Sequence, residues 1–302
     1  MTVSQEKQRI GFVGAGLMGH GAARHLLAAG HPLTVIAHRN RQPIDDLVSR
    51  GAEEADSVKT LTEASDIVFL CLPDAPRVAE VMRSKAGVLA GARPGLVVLD
   101  MTTSSPSLSQ ELSDECGKRD VVFMDAPMTR TPMEAEAGRL NLLVGGPADM
   151  FDRVRPVVDT FCENAWHIGP TGSANAFKLV NNFLVISNLA TVLEAAVAAE
   201  RFGIDHERLL EVCSQGGADS AILRKLMPYA ISGDASAFQA HAATALKDVA
   251  YYNDMADAAG LHSVMSKSAQ QFFQLACSLG EGQTMVPCLY DTLRNLGASK
   301  GE

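Results

Sequence analysis

The sequence predicts an α/β protein: a Rossmann domain on a doubly wound, mostly parallel sheet, followed by an all-α domain entered through a long interdomain helix. Three observations carry that expectation. Short β-branched runs alternate with helical stretches through the first half of the chain. A glycine-rich turn, "GFVGAGLMG", joins the first strand to the first helix. After Gly169 the strand-like runs stop, alanine and leucine rise, and helical patterns continue nearly to the end. The expected division is 1–169, which carries the glycine-rich turn, and 170–302, which is all-helical.

In chain order, "RIGFVG" reads as a strand, "LMGHGAARHLLAAG" as a helix closed by Gly30, and "PLTVIAH" as the second strand. "DIVFLCLP", "GLVVLDM", "VVFMDAP" and "LNLLVGG" supply further strands. From Asn175 to Arg201 the pattern is one helix of about 40 Å, at ~1.5 Å per residue. A length of 302 residues suits two domains, and 47% apolar with 20% charged residues is a globular composition. The net charge of −9 argues against nucleic acid and anionic membrane surfaces as partners. No uninterrupted apolar run reaches the ~20 residues of a membrane span; Asn188 and Glu194 break the nearest approach. "MTVSQEKQRI" has no signal-peptide character. Six scattered cysteines without a CxxC pair read as reduced thiols of a cytoplasmic protein. Eight histidines without HxxxH or HExxH spacing give no support to a metal site.

In the turn, Gly14-Ala15-Gly16-Leu17-Met18-Gly19 follows a strand and opens a helix. Gly14 permits the tight turn, Gly16 lets a pyrophosphate approach the backbone, and Gly19 allows close helix–strand packing. The helix amino terminus then faces the phosphates. Cofactor choice falls to the end of the second strand, where an NAD enzyme usually places an acid for the ribose 2′-hydroxyl. "VIAHRNRQ" has no acid before Asp45 and instead carries His38, Arg39 and Arg41. A 2′-phosphate would meet cations there, so NADP(H) is favoured, with NAD(H) as the alternative.

The glycine turn, "LPDAPRVAEVM", "LDMTTSSPSLSQEL", "DAPMTRTPMEAEAGRLNLLVGG", "GPTGSANAFKLVNN" and "LKDVAYYNDMA" occur in this order. Together they resemble the β-hydroxyacid dehydrogenase family, which includes the 3-hydroxyisobutyrate dehydrogenases. The resemblance spans nearly the whole chain. It implies a Rossmann domain, a helical domain like that of 6-phosphogluconate dehydrogenase, and an active site in the cleft between them. It also implies that Lys178 is the catalytic lysine and Asn182 the substrate-orienting asparagine. Thr103 would lie beside nicotinamide and substrate, and Lys247 would reach the cofactor from the helical domain. Leu72 and Pro73 would pass under the adenosine side. A lysine freed of its proton by burial could serve as acid/base near neutral pH. Lys178 and Asn182 stand at i and i+4, on one helix face.

The chain departs from the family in three places. The substrate loop most often reads "DAPVSGG" in the family and is Asp125-Ala-Pro-Met-Thr129-Arg130-Thr131 here. Thr129 keeps the hydroxyl donor, whereas Arg130 and Thr131 replace glycines, so a backbone cradle for the carboxylate is weakened. Arg130 either clamps an anionic head group, as in the similar loop of sulfolactaldehyde reductases, or turns outward to solvent. Ala174 stands where a glycine is usual, and "GEGQTMVPCLYDTL" lacks a common aspartate. The leading expectation is an NAD(P)-dependent enzyme interconverting a small anionic β-hydroxy acid and its semialdehyde or keto form, as a homodimer or homotetramer. An imine reductase is the enzymatic alternative, against which Lys178 weighs. A non-catalytic dinucleotide-binding protein of the same fold is the other.

Overall fold

The computed structural model describes residues 7–296. Among the described residues nine strands form one sheet: β1 (Ile10–Val13), β2 (Leu33–Val35), β3 (Glu53–Glu54), β4 (Ile67–Leu70), β5 (Val97–Asp100), β6 (Val122–Asp125), β7 (Met128–Thr129), β8 (Leu140–Gly145) and β9 (Cys162–Gly169). Their order is β3-β2-β1-β4-β5-β6-β8-β7, with β9 paired to β8. The first six strands are all parallel, in the doubly wound order that reverses between β1 and β4. Every residue of β1, β4 and β5 is buried, as expected of parallel strands covered on both faces. β8 then runs antiparallel to both β6 and β7, and β9 returns parallel to β8. Phe12 and Phe69 stack at 5.8 Å in the core on one side of the sheet, with Phe161 edge-on to Phe69.

From residue 173 to 296 the chain is helical apart from short connections. The long helix runs Ser173–Arg201, 29 residues, or about 43 Å. By length and composition alone it could cross a membrane. Its Ile186, Leu189, Leu193 and Ala196 are instead in the core of the helical unit, with Val249 and Phe273.

The chain divides into two compact units, Met1–Lys178 and Leu179–Glu302. The sequence texture changes earlier, after Gly169. The first turn of the long helix falls in the first unit because it is tied to the end of β6. The Asp125 carboxylate accepts from the backbone N–H of Gly172 and of Asn175, each at 2.7 Å.

Candidate active site

The glycine turn is built by packing at two positions and left open at the third. Gly14 has φ +102°, and a Cβ there would lie 2.1 Å from the Cys71 carbonyl oxygen. At Gly19 it would lie 2.2 Å from the Gly14 carbonyl oxygen. At Gly16 it would meet nothing within 4 Å. Ala15 is buried in the core, Met18 packs against that core, and Leu17 is 80% exposed. The helix Gly19–Ala28 starts with no side-chain cap on Met18 and no acid in its first turn. Its amino-terminal N–H groups and dipole therefore suit an anion. These residues fit a dinucleotide pyrophosphate, with open backbone at the glycine that a phosphate must approach.

At the ribose end, His38 and Arg39 are exposed. Arg41 is engaged otherwise: its guanidinium makes bonds of 3.0 and 2.9 Å to the two Glu54 carboxylate oxygens and a third to Asp45. Of the cations proposed for a 2′-phosphate, Arg41 thus has carboxylate competitors, while Arg39 forms no ion pair among the described residues. Behind this lies a network the sequence did not reveal. His20, directly after Gly19, places one ring nitrogen 2.7 Å from Glu136 and the other 3.0 Å from Asp46.

The loop after β5 carries Thr103. Thr102 fixes its start, donating its N–H to Asp100 and accepting from the Leu72 N–H at 3.0 Å, which ties in the Leu72–Pro73 loop. Thr103 is half-buried. The next residue, Ser104, donates its N–H to the side-chain oxygen of Asn175 at 3.0 Å. The Asn175 amide donates in turn to the Ser109 hydroxyl at 3.1 Å. Asp100 and Asp125 are register partners on β5 and β6, and both are buried. Burial pushes the Asp100 carboxyl up to about 7, with the nearby Asp125 charge adding to the rise. Burial pushes Asp125 up to about 6, against the pull of the backbone N–H groups it accepts.

In the loop after β6, Thr129 is half-buried and pairs with Asn141 at the end of β7. Arg130 adopts φ +84° and donates to the Arg139 carbonyl and, at 2.6 Å, to Glu163. Arg130 is an exposed residue, and its guanidinium is paired with a surface carboxylate of the protein itself. Thr131 caps the helix Pro132–Glu136 through a reciprocal box with Glu134, so its hydroxyl serves the fold. Thr129 is the remaining hydroxyl of the loop.

On the long helix, Lys178 and Asn182 are half-buried one turn apart, and Ala174 is fully buried at a helical position where no glycine conformation is needed. Asn182 is fixed at both ends of its amide. It donates to Asp248 at 2.7 Å and accepts from Asn181 at 3.1 Å. Lys247 lies 2.9 Å from the other Asp248 oxygen, a close ion pair rather than an aligned hydrogen bond, and 5.3 Å from the Tyr251 ring centre. Sequence reasoning assigned no role to Asp125, Asn175, Asn181 or Asp248. All four sit inside the sequence motifs, but for Asp125, Asn175 and Asp248 partners 50 and 66 residues away leave no local signal.

The parallel sheet with its open glycine turn is that of a dinucleotide-binding domain, and comparison with known proteins sets it among relatives. The family described as the NAD binding domain of 6-phosphogluconate dehydrogenase matches residues 9–169. That described as "NAD-binding of NADP-dependent 3-hydroxyisobutyrate dehydrogenase" matches residues 172–287. A probable 3-hydroxyisobutyrate dehydrogenase-like protein of Arabidopsis thaliana is 32% identical over 97% of this chain and 96% of its own length. The 2-(hydroxymethyl)glutarate dehydrogenase of Eubacterium barkeri is 33% identical over 75% of each chain. A Mycobacterium tuberculosis 3-hydroxyisobutyrate dehydrogenase solved with L-serine has the same fold, with TM-score 0.85 and 23% identity over 96% of this chain and all of that one. The chain belongs to the β-hydroxyacid dehydrogenase family and is an NAD(P)-dependent oxidoreductase of hydroxy acids.

Proposed function

We propose that the protein interconverts a short, anionic β-hydroxy acid and its semialdehyde or keto form, with Lys178 as general acid/base and NADP(H) as the preferred cofactor. The observation that carries this reading is the pairing of Lys178 with Asn182 on one face of a helix whose start is pinned by Asp125. When bound, the nicotinamide takes up or returns hydride. In oxidation Lys178, as free amine, accepts the proton of the substrate hydroxyl; in reduction its ammonium returns a proton to the carbonyl oxygen. Asn182, its amide held by Asp248 and Asn181, orients the substrate. The half-buried Thr129 hydroxyl is the loop donor for the substrate carboxylate.

Preference for NADP(H) rests on the exposed His38 and Arg39, in a segment with no acid between the end of β2 and Asp45, and on the NADP-dependent family matched by residues 172–287. Replacing Lys178 by Ala is expected to leave NADPH binding intact while kcat drops at least ~100-fold. Retained turnover would refute the acid/base role. The substrate is found with a panel of C3–C6 hydroxy acids and semialdehydes against both cofactors. Arg39→Ala should weaken NADPH binding about 10-fold, the loss of one charge-assisted contact, and leave NADH binding unchanged. Equal effects on both cofactors would remove Arg39 from the 2′-phosphate.

A further inference from the structure

We propose that Asn175 is a positioning residue that sets the distance between the Thr103 loop and the lysine-bearing turn of the long helix. This inference rests on the reading of Lys178 as the acid/base. Asn175 is completely buried and sits three residues before Lys178, so both belong to the same helical turn.

Burying a primary amide is costly unless its groups are paired, and here they are paired to two different segments. The side-chain oxygen accepts from the Ser104 N–H, the peptide directly after Thr103. The amide nitrogen donates to Ser109 on the helix Pro106–Gly117. The backbone N–H of Asn175 donates to Asp125, the last residue of β6. One residue therefore joins the β5 loop, the helix after it, the end of β6 and the start of the long helix. Each link is 3.1 Å or shorter.

The Ser104 bond is the one that matters for chemistry. It ties the peptide after Thr103 to the helix turn that carries Lys178, through a side chain with no exposed surface. An aliphatic residue would fill the same volume and leave the Ser104 N–H unpaired. The loop and the helix would then settle independently. A shift of about 1 Å between catalytic groups costs on the order of 100-fold in rate. Asn175 acts through Lys178 and Thr103 rather than on substrate or cofactor directly.

The test compares wild type with Asn175→Ala and Ser109→Ala, each assayed per NADPH-binding site in the full chain. Asn175→Ala is expected to lower kcat about 30-fold, with the NADPH Kd within twofold of wild type. Its solvent deuterium isotope effect on kcat should rise, because proton transfer to a displaced Lys178 becomes rate-limiting. Asn175→Asp keeps an acceptor for Ser104 and is expected to recover most of that loss. Ser109→Ala loosens one side of the amide and should lower kcat at least threefold, which keeps the proposal testable if Asn175→Ala does not fold. A purely structural role predicts lower thermal stability but an unchanged kcat per NADPH site and an unchanged isotope effect, and that result overturns the proposal. So does a fall in kcat matched by an equal loss of NADPH affinity. Lys178→Ala, run alongside, separates the two readings. If it stays active, the acid/base assignment fails and the positioning role falls with it. If it is inactive while Asn175→Ala is fully active, the positioning role fails alone.

Discussion

At Gly14 a methyl group would lie 2.1 Å from the Cys71 carbonyl oxygen, on a backbone already at φ +102°. Two residues later, at Gly16, the same methyl group would meet no protein atom within 4 Å. Gly14→Ala should therefore destabilise the fold by about 3 kcal/mol, whereas Gly16→Ala should melt near wild type and bind NADPH at least ~10-fold more weakly. Thermal melts with and without NADPH separate the two, and equal behaviour would argue that the open side of the turn meets no phosphate. The Asp100 carboxyl, by contrast, makes stability depend on pH. In the folded chain it titrates at about 7, against about 3.9 in an unfolded chain. Between those values the folded chain holds a proton that the unfolded chain has lost, so stability falls as pH rises through that window. Asp100→Asn removes this slope. Relative to wild type, the variant should gain on the order of a few kcal/mol in going from pH 5 to pH 8. A constant gap between the two proteins at both pH values would contradict the burial account.

At the scale of elements, the loop after β6 shows how a substrate segment can be redirected by its own fold. Arg130 occupies a left-handed conformation, and its guanidinium is spent on Glu163 and a carbonyl group. The exposed ion pair is screened by solvent and adds little; the left-handed backbone costs a non-glycine residue roughly 1–2 kcal/mol. Arg130→Ala loses the pair and keeps the strain, whereas Arg130→Gly loses both. The glycine variant should melt about 2–4 °C above the alanine variant, and a reversed order would show that the loop relaxes when the side chain is removed.

On the scale of the whole molecule, the two units have separate apolar cores: Phe12, Phe69 and Phe161 lie in one, Leu189, Val249 and Phe273 in the other. Calorimetry should resolve two unfolding transitions. NADPH at about 100 times its Kd should raise the first unit's transition by about 2.7 kcal/mol; a single transition would show that the cores unfold together. Much of this organisation was legible in the sequence, because local chemistry wrote it there. The glycine turn, the β-branched runs and the loss of strands after Gly169 announce the parallel sheet and the helical half. The reversal of β8 was not legible, since its sequence differs little from a parallel strand and only its pairing with β6 and β7 sets direction. Nor was the pairing of Arg130 with Glu163, separated by 33 residues, or that of Arg41 with Glu54. Lys178 and Asn182 stood out as polar groups in an apolar helix, and the family resemblance supplied the roles expected of them. Asp125 and Asn175 did not, because their meaning comes from one another.

The bond between Asn175 and Ser104 also gives the chain a ruler. Every residue added to a helix rotates the remainder of that helix by about 100°. An insertion before Gly172 lengthens a connection and can be absorbed there, but one between Asn175 and Lys178 would swing the ammonium away from the face it now shares with the anchored amide. Insertions in surface turns should therefore be tolerated, whereas an insertion in the interval from Asn175 to Lys178 should not.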